Sequence, residues 1–314
     1  MDQSNVIPLF DDLPIPEPQS SASPPSSGGP SGDPAPPHRL THARYEPAHC
    51  LAPGLFRALK RGERKLKKLD VTYEFGKDQQ ITFKGPEPLG ADDLRLLQVL
   101  VAMTGPAGKA LPPEPETEPE QRLRALLKVQ GSSMHEDVTA VETSYRQLAH
   151  EMGYTSWGGE QGKVIKAGLI RLSTVTIIAE SKSRWEAFHI LSRLGGDEIT
   201  GRITFAVNPM ITRAVVGSGR YVRIELEEVR RLKSDVARLI HNRLCGWINP
   251  GQDREVMLET LCSYAWPEQI ASTDAIIKRK QRARKALKEL QALGWAVDEI
   301  EKGKFRITRP APLL

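Results

Sequence analysis

Near the C-terminus the chain reads DAIIKRKQRARKALKELQALGW, from Asp274 to Trp295. Seven of these residues are basic: Lys278, Arg279, Lys280, Arg282, Arg284, Lys285 and Lys288. Only Asp274 and Glu289 oppose them. Cations at this density do not make or break bonds. They hold phosphate, and arginine also pairs with the acceptor edge of guanine. On a helix, Ile276, Ala283, Leu287 and Leu290 make one apolar stripe, and Lys278, Arg282 and Lys285 fall on another face. Like charges at i,i+4 cost a few tenths of a kcal/mol each, and an ordinary solvated face mixes signs to avoid that cost. The next cations, Lys302, Lys304, Arg306 and Arg309, flank Gly303, which predicts a basic hairpin after the helix. In that setting the run is best explained as a DNA-contacting helix. The nearest residues, Lys278, Arg279 and Arg282, would reach bases; Lys285, Lys288 and the hairpin would hold phosphate.

Two weaker candidates lie upstream. Lys163, Lys166 and Arg171 sit on GKVIKAGLIRLS, and Arg57–Lys68 holds seven basic residues against Glu63 alone. For both, a solvated surface accounts for the charges as well as DNA contact does.

Bond-making chemistry is absent by motif. WGGEQGKV approaches a P-loop, but Trp157 stands where the first glycine belongs and Val164 replaces the Ser/Thr that would hold magnesium. GDEITGRI has the two glycines but continues with Arg202 and Ile203. The seven histidines form neither H-x-H nor H-E-x-x-H, which argues against a zinc hydrolase and a histidine–tyrosine nickase. Asp92–Asp93 and Glu227–Glu228 are paired carboxylates at predicted helix starts, where negative charge suits the helix dipole. No catalytic residue, cofactor or metal is expected, and the chain is not expected to be an enzyme.

Composition agrees with a polyanionic partner. Net charge is +5, but residues 1–38 contain Asp2, Asp11, Asp12, Glu17 and Asp33 and no Lys or Arg. That segment therefore sums to −5 and the remainder to +10. Cys50, Cys245 and Cys262 are odd in number and far apart, without C-x-x-C, which fits a reducing cytoplasm. No apolar run reaches membrane-spanning length and no signal-peptide pattern opens the chain, so a soluble protein without membrane contact is expected.

The elements that would position these residues follow from periodicity. Residues 1–40 hold ten of the 24 prolines among Ser and Gly, predicting a disordered tail with one acidic–apolar patch at Asn5–Pro16. Gly54–Lys68 predicts a short basic helix and loop, and Lys68–Pro86 a hairpin turned at Gly76–Gln79. Gly90–Gly105 predicts a helix with Leu94, Leu97 and Val101 on one face. A Pro/Glu-rich loop follows, then a short helix at Ser144–Gly153. The next helix passes into a strand at Val175–Ala179, with further strands at Arg184–Leu191 and Arg202–Val207. This is the order of a winged helix-turn-helix. It recurs as helices at Leu232–Ile248, within Arg254–Trp266 and at Asp274–Leu293, then a hairpin. The expected fold is α+β: the tail, then tandem winged-helix domains at 41–215 and 216–314, joined through 208–231.

Four blocks carry a resemblance to a known family: HARYEPAHCLAPGLFRALKRGERK (His42–Lys65), LDVTYEFG (Leu69–Gly76), GPEPLGADDLRLLQ (Gly85–Gln98) and RLIHNRLCGWINPG (Arg238–Gly251). They resemble RepC, the replication initiator of IncQ-type broad-host-range plasmids, over about Thr41 to Pro310. Residues 1–38 have no counterpart in that resemblance. It implies a cytoplasmic, plasmid-associated bacterial protein that binds directly repeated iterons in double-stranded origin DNA. It also implies that the protein helps open adjacent AT-rich DNA and supports loading of a plasmid-encoded hexameric helicase and a primase. The wider initiator family has two winged-helix domains. The C-terminal one is a principal iteron reader, which would fall on Lys278–Lys288 and on the wing at Lys302–Arg306. The N-terminal one often mediates a homodimer. The rival accounts are a winged-helix transcriptional regulator and, from the enzyme class, a nickase or primase.

Overall fold

A computed structural model describes residues 38–45, 47–74, 78–105, 109–111, 138–208, 221–268 and 272–311, with 114, 118, 121 and 211 singly. The expected tail, the turn at Gly76, most of the Pro/Glu-rich loop and much of 208–220 lie outside these residues.

The described chain starts by being tied down. The buried carboxylate of Glu151 accepts the backbone N–H of Arg39 (2.9 Å) and Leu40 (3.3 Å) and the Arg230 guanidinium (2.7 Å). Strand β1 (His42–Tyr45) then pairs antiparallel with β10 (Val222–Glu225), inside the segment expected only to connect the two halves. Helix α1 (Pro47–Leu51) follows. Gly54–Lys68, predicted as a short helix and loop, holds only a single 3-10 turn at Glu63–Leu66. Three of its cations reach distant acids: Arg57 and Lys67 bond Glu268 at 2.6 and 3.0 Å, and Arg64 bonds Asp93 at 2.7 Å; Lys67 also pairs with Glu63 within the turn at 2.7 Å.

Strands β2 (Leu69–Glu74) and β3 (Gln79–Gly85) form the expected hairpin. Helix α2 (Ala91–Met103) has the apolar face that its spacing predicts, yet every residue except Asp92 is buried. Other elements cover it on all sides, so its polar residues are paired inside the protein. Asp93 accepts Gly90 N–H at 2.8 Å, together with Arg64 and Arg171. Gln98 donates to Asn242 at 3.3 Å.

Beyond β4 (Lys109–Leu111) and β5 (Val138–Ser144), Ser144 caps α3 (Tyr145–Glu151) by accepting Gln147 N–H. The helix ends on Gly153, φ 81°, where Tyr154 N–H reaches back to Ala149 O at 3.0 Å. Helix α4 (Gly159–Ser173) and β6 (Thr176–Ser181) fall where expected. The strand expected over Arg184–Leu191 is β7 (Trp185–His189), and a further strand that was not expected, β8 (Leu191–Gly196), follows it. The break is Ile190, fully buried, whose N–H bonds Val175 O and whose carbonyl accepts Asn208 N–H. With β9 (Arg202–Val207), these strands complete two antiparallel sheets, β2-β3-β6-β7 and β4-β5-β9-β8.

The second half runs α5 (Leu226–Arg231), α6 (Asp235–Trp247), β11 (Asp253–Met257), α7 (Leu258–Ala265), α8 (Thr273–Gln291), β12 (Ala296–Glu301) and β13 (Lys304–Thr308). The three helices and the hairpin are as expected; β11 is an addition that pairs with β13. Gly303, φ 80°, makes the hairpin turn. One continuous apolar core runs through both halves. Among the described residues no helix is long and apolar enough to cross a membrane, and all three cysteines are buried free thiols.

A buried ion pair closes the second half. His241 Nε2 lies 2.5 Å from Glu228 Oε2 and 3.5 Å from the Cys245 sulfur, and Trp295 Nε1–H donates to the same carboxylate at 3.4 Å. Burial alone would lower the imidazole's pKa; Cys245 and Glu228 outweigh it and push it up to about 10. The folded protein thus keeps a proton that the unfolded chain releases near pH 6.5. The resulting stability is whole below pH 6.5, declines as pH rises, and is gone above about 10. Urea unfolding from pH 6 to 10.5 is expected to record this decline. His241→Gln should flatten that component and cost about 3–5 kcal/mol at pH 7, because it removes the cation that compensates Glu228 and leaves it only neutral donors such as Trp295.

Candidate nucleic-acid interface

Helix α8 sits on α6 and α7 through Ala283, Ala286, Leu287 and Leu290, all buried. Ile276, expected on this stripe, is 39% exposed, at the edge of an open cleft with Glu259, Cys262 and Ser263 of α7. Ala283 and Ala286 let the backbones approach, and burying a leucine such as Leu287 contributes about 1.5–3 kcal/mol.

The seven cations of this helix divide into two sets. Three are bonded within the protein. Arg279 donates to Glu268 O at 2.9 Å and lies 5.3 Å from the Trp266 ring, tying α8 to the residues that directly follow α7. Lys280 pairs with Glu259 of α7 at 2.5 Å. Arg284 makes two bonds to Glu299 of β12, 2.7 and 2.8 Å, above the Phe305 ring. Glu299 also accepts Gly303 N–H at 2.7 Å. Arg284 and that amide together hold its carboxyl down at about 2. The hairpin is thereby oriented by the helix.

Lys278, Arg282, Lys285 and Lys288 are exposed and have no ion-pair partner among the described residues. Lys278, Lys285 and Lys288 project opposite the buried stripe, with Arg282 at the edge of that face. The hairpin contributes less than its composition suggested. Lys304 and Arg306 bracket Glu255 of β11 at 2.7 and 2.8 Å and hold its pKa below the usual carboxylate value. Arg309 is buried, donating to the carbonyls of Cys245 (2.8 Å), Ile248 (3.2 Å) and Arg223. Lys302, beside the turn, is exposed and unpaired among the described residues.

Of the upstream candidates, the three cations of α4 are bonded within the protein, while Lys60, Arg61, Lys65 and Lys68 of the Arg57–Lys68 stretch are exposed with no ion-pair partner among the described residues. Lys163 pairs with Glu160 at 2.8 Å and Lys166 with Glu198. Arg171, 15% exposed, gives two bonds to buried Asp93, 3.0 and 2.8 Å. Sequence periodicity could not find Glu255, Glu259 and Glu299, the acids that decide which cations stay free. Glu255 meets Arg306 only through the register of β11 on β13, and β11 is not among the strands read from the sequence.

Among the described residues, two clusters bring ligating atoms within 4.8 Å of one another, Glu228/His241/Cys245 and His38/His150/Glu151. In both, the carboxylate is already engaged, by His241 and Trp295 in one and by Arg230 with two backbone amides in the other.

The family model for Replication protein C matches residues 37–311, nearly all of the described chain. The chain belongs to the RepC replication protein family. No curated protein matches it significantly. Among solved structures, this RepC-family chain is similar to domains 2–3 of RctB, at 11% identity and TM-score 0.53, covering 85% of this chain and 97% of that one. A selenomethionine form of the same RctB domains gives 10% identity and TM-score 0.50, with 83% and 97% covered. The Pi initiator protein in complex with iteron DNA gives 12% identity, TM-score 0.42 and coverage of 69% and 88%. The RctB likeness is one of fold.

The two kinds of cation separate experimentally. Arg171→Ala should cost about 1–3 kcal/mol, because it takes two charge-assisted bonds from Asp93 and leaves Arg64 and the Gly90 amide, and it should leave heparin retention of the folded protein unchanged. Lys285→Ala should do the reverse: earlier elution from heparin, with stability within about 0.5 kcal/mol of the parent.

Proposed function

We propose that this RepC-family chain is a plasmid replication initiator that binds directly repeated iterons in double-stranded origin DNA. The observation that carries this reading is the row of unpartnered cations on α8, Lys278, Arg282, Lys285 and Lys288, with Lys302 at the turn of the hairpin that follows. On this reading the two halves are winged-helix modules in tandem, α8 is the recognition helix of the second, and β12–β13 is its wing. Lys278 and Arg282 lie toward the helix N-terminus and reach base edges, while Lys285, Lys288 and Lys302 hold phosphate. Arg279, Lys280, Arg284, Lys304 and Arg306 set the orientation of helix and wing.

The chain acts through binding energy and not through catalysis, consistent with the incomplete P-loop at Trp157–Val164. Several copies on adjacent iterons bend the duplex, and bending a site of 20–30 base pairs costs about 1–6 kcal/mol, which the added contacts supply. The strain opens neighbouring AT-rich DNA and supports loading of a helicase and a primase. A homodimer mediated by the first half belongs to the same reading.

Arg282→Ala or Lys278→Ala should weaken iteron binding by about 1–3 kcal/mol and relax specificity at one position if the residue reads a base. A phosphate contact would instead lower affinity evenly on all sequences and reduce the salt slope by about one unit. Titration against origin and scrambled duplexes distinguishes these outcomes, and unchanged affinity for both variants would refute the assignment of α8. Permanganate reactivity beside the iterons should rise on addition of the protein without ATP.

A further inference from the structure

In the first half of the chain, the helix that sequence order marks for DNA contact has little free charge. Lys163 and Lys166 of α4 are paired with Glu160 and Glu198, and Arg171 is held on Asp93. The hairpin that follows α4 is different. Ser181 N–H and Oγ both bond the Arg184 carbonyl, at 2.8 and 3.2 Å, closing a tight turn between β6 and β7. Lys182, Ser183 and Arg184 are exposed at its tip. Neither Lys182 nor Arg184 has an ion-pair partner among the described residues. Trp185, the first residue of β7, is 74% exposed. It lies on an edge strand, and the next two residues on its face, Ala187 and His189, are exposed too. An indole left in water beside two uncommitted cations forms a surface that suits a nucleic acid strand. The cations meet phosphates and the ring offers a stacking face.

We propose that the β6–β7 tip, Lys182, Arg184 and Trp185, is the nucleic-acid contact of the first half of the chain, and that α4 supports it without touching the strand. This rests on the DNA-binding reading above. An unpaired base and an opened step of a duplex offer the same stacking chemistry, and the measurement below separates them.

The full chain would be titrated with a labelled duplex from its own origin and with one strand of that duplex, across a range of salt. Four variants are compared with the parent: Lys182→Ala/Arg184→Ala, Trp185→Ala, Lys163→Ala/Lys166→Ala and Arg282→Ala/Lys285→Ala. The tip double variant should lower the duplex salt slope by about 1.8, at about 0.9 per phosphate. Trp185→Ala should lose about five-fold or more in affinity on whichever form, duplex or single strand, the indole stacks against. Lys163→Ala/Lys166→Ala should stay within about two-fold of the parent. All these side chains are surface groups, and unchanged unfolding temperatures would confirm that folding is not the cause. If both tip variants bind like the parent while Arg282→Ala/Lys285→Ala loses binding, the tip assignment fails and the origin-binding reading stands. A loss on Lys163→Ala/Lys166→Ala larger than on the tip variants also overturns it. A parent that binds neither form overturns both.

Discussion

The Asp93 carboxylate lies, with almost no exposure, in the first turn of a helix buried on every side. A lone buried carboxylate would cost several kcal/mol. Here it accepts the Gly90 amide and the guanidinium groups of Arg64 and Arg171. Those arginines come from the loop before β2 and from α4, so one anion fixes three separate parts of the chain around the start of α2. With that end fixed, α2 is covered by β1, α3, α4, α5 and α6, and the core continues from one half of the chain into the other. The β1–β10 pairing and the Arg309 bonds to Arg223, Cys245 and Ile248 extend this connection to the end of the described chain.

The same rule, that a cation is either bonded inside or left for a partner, sorts the surface. Glu255, Glu259 and Glu299 each hold a basic residue of α8 or of the hairpin that follows it. These exposed pairs add little stability individually. Their effect is geometric: the Arg284–Glu299 fork, with the Gly303 amide on the same carboxylate, sets the hairpin against the helix. The residues without such an acid, Lys278, Arg282, Lys285 and Lys288, remain as a row on one side.

How much of this was legible in the sequence depends on the range of the interaction. Local patterns were faithful. The 3.6-residue spacing placed α3, α4, α6 and α8, and Gly153 and Gly303 marked a helix end and a hairpin turn. Even the four blocks that resemble RepC are stretches of chain, readable in order. Pairings between distant segments were not legible. β1 finds β10 across the whole first half, and Arg171 finds Asp93 78 residues away. For that reason Arg171 looked like a surface cation, Arg309 like part of a basic hairpin, and α2 like a helix with one wet face. The spacing of Leu94, Leu97 and Val101 marks only one apolar face, and for the polar residues beside them, such as Asp93 and Gln98, satisfaction by a remote partner and by water look the same in sequence.

The row on α8 has an energetic consequence for binding. Lys278 and Arg282 are four residues apart, and Arg282, Lys285 and Lys288 follow at intervals of three, so each neighbouring pair repels across one turn. The helix tolerates this because Ala283, Ala286, Leu287 and Leu290 hold it to the core, and the packing outweighs a repulsion of a few tenths of a kcal/mol per pair. A polyanion laid along the row removes that repulsion and releases its own condensed counterions in the same step. A neutral partner gains neither term. The acids that pair with the flanking cations therefore sharpen the contact as well as orienting it: of the seven cations of α8 they leave Lys278, Arg282, Lys285 and Lys288 uncompensated, on one side of the helix.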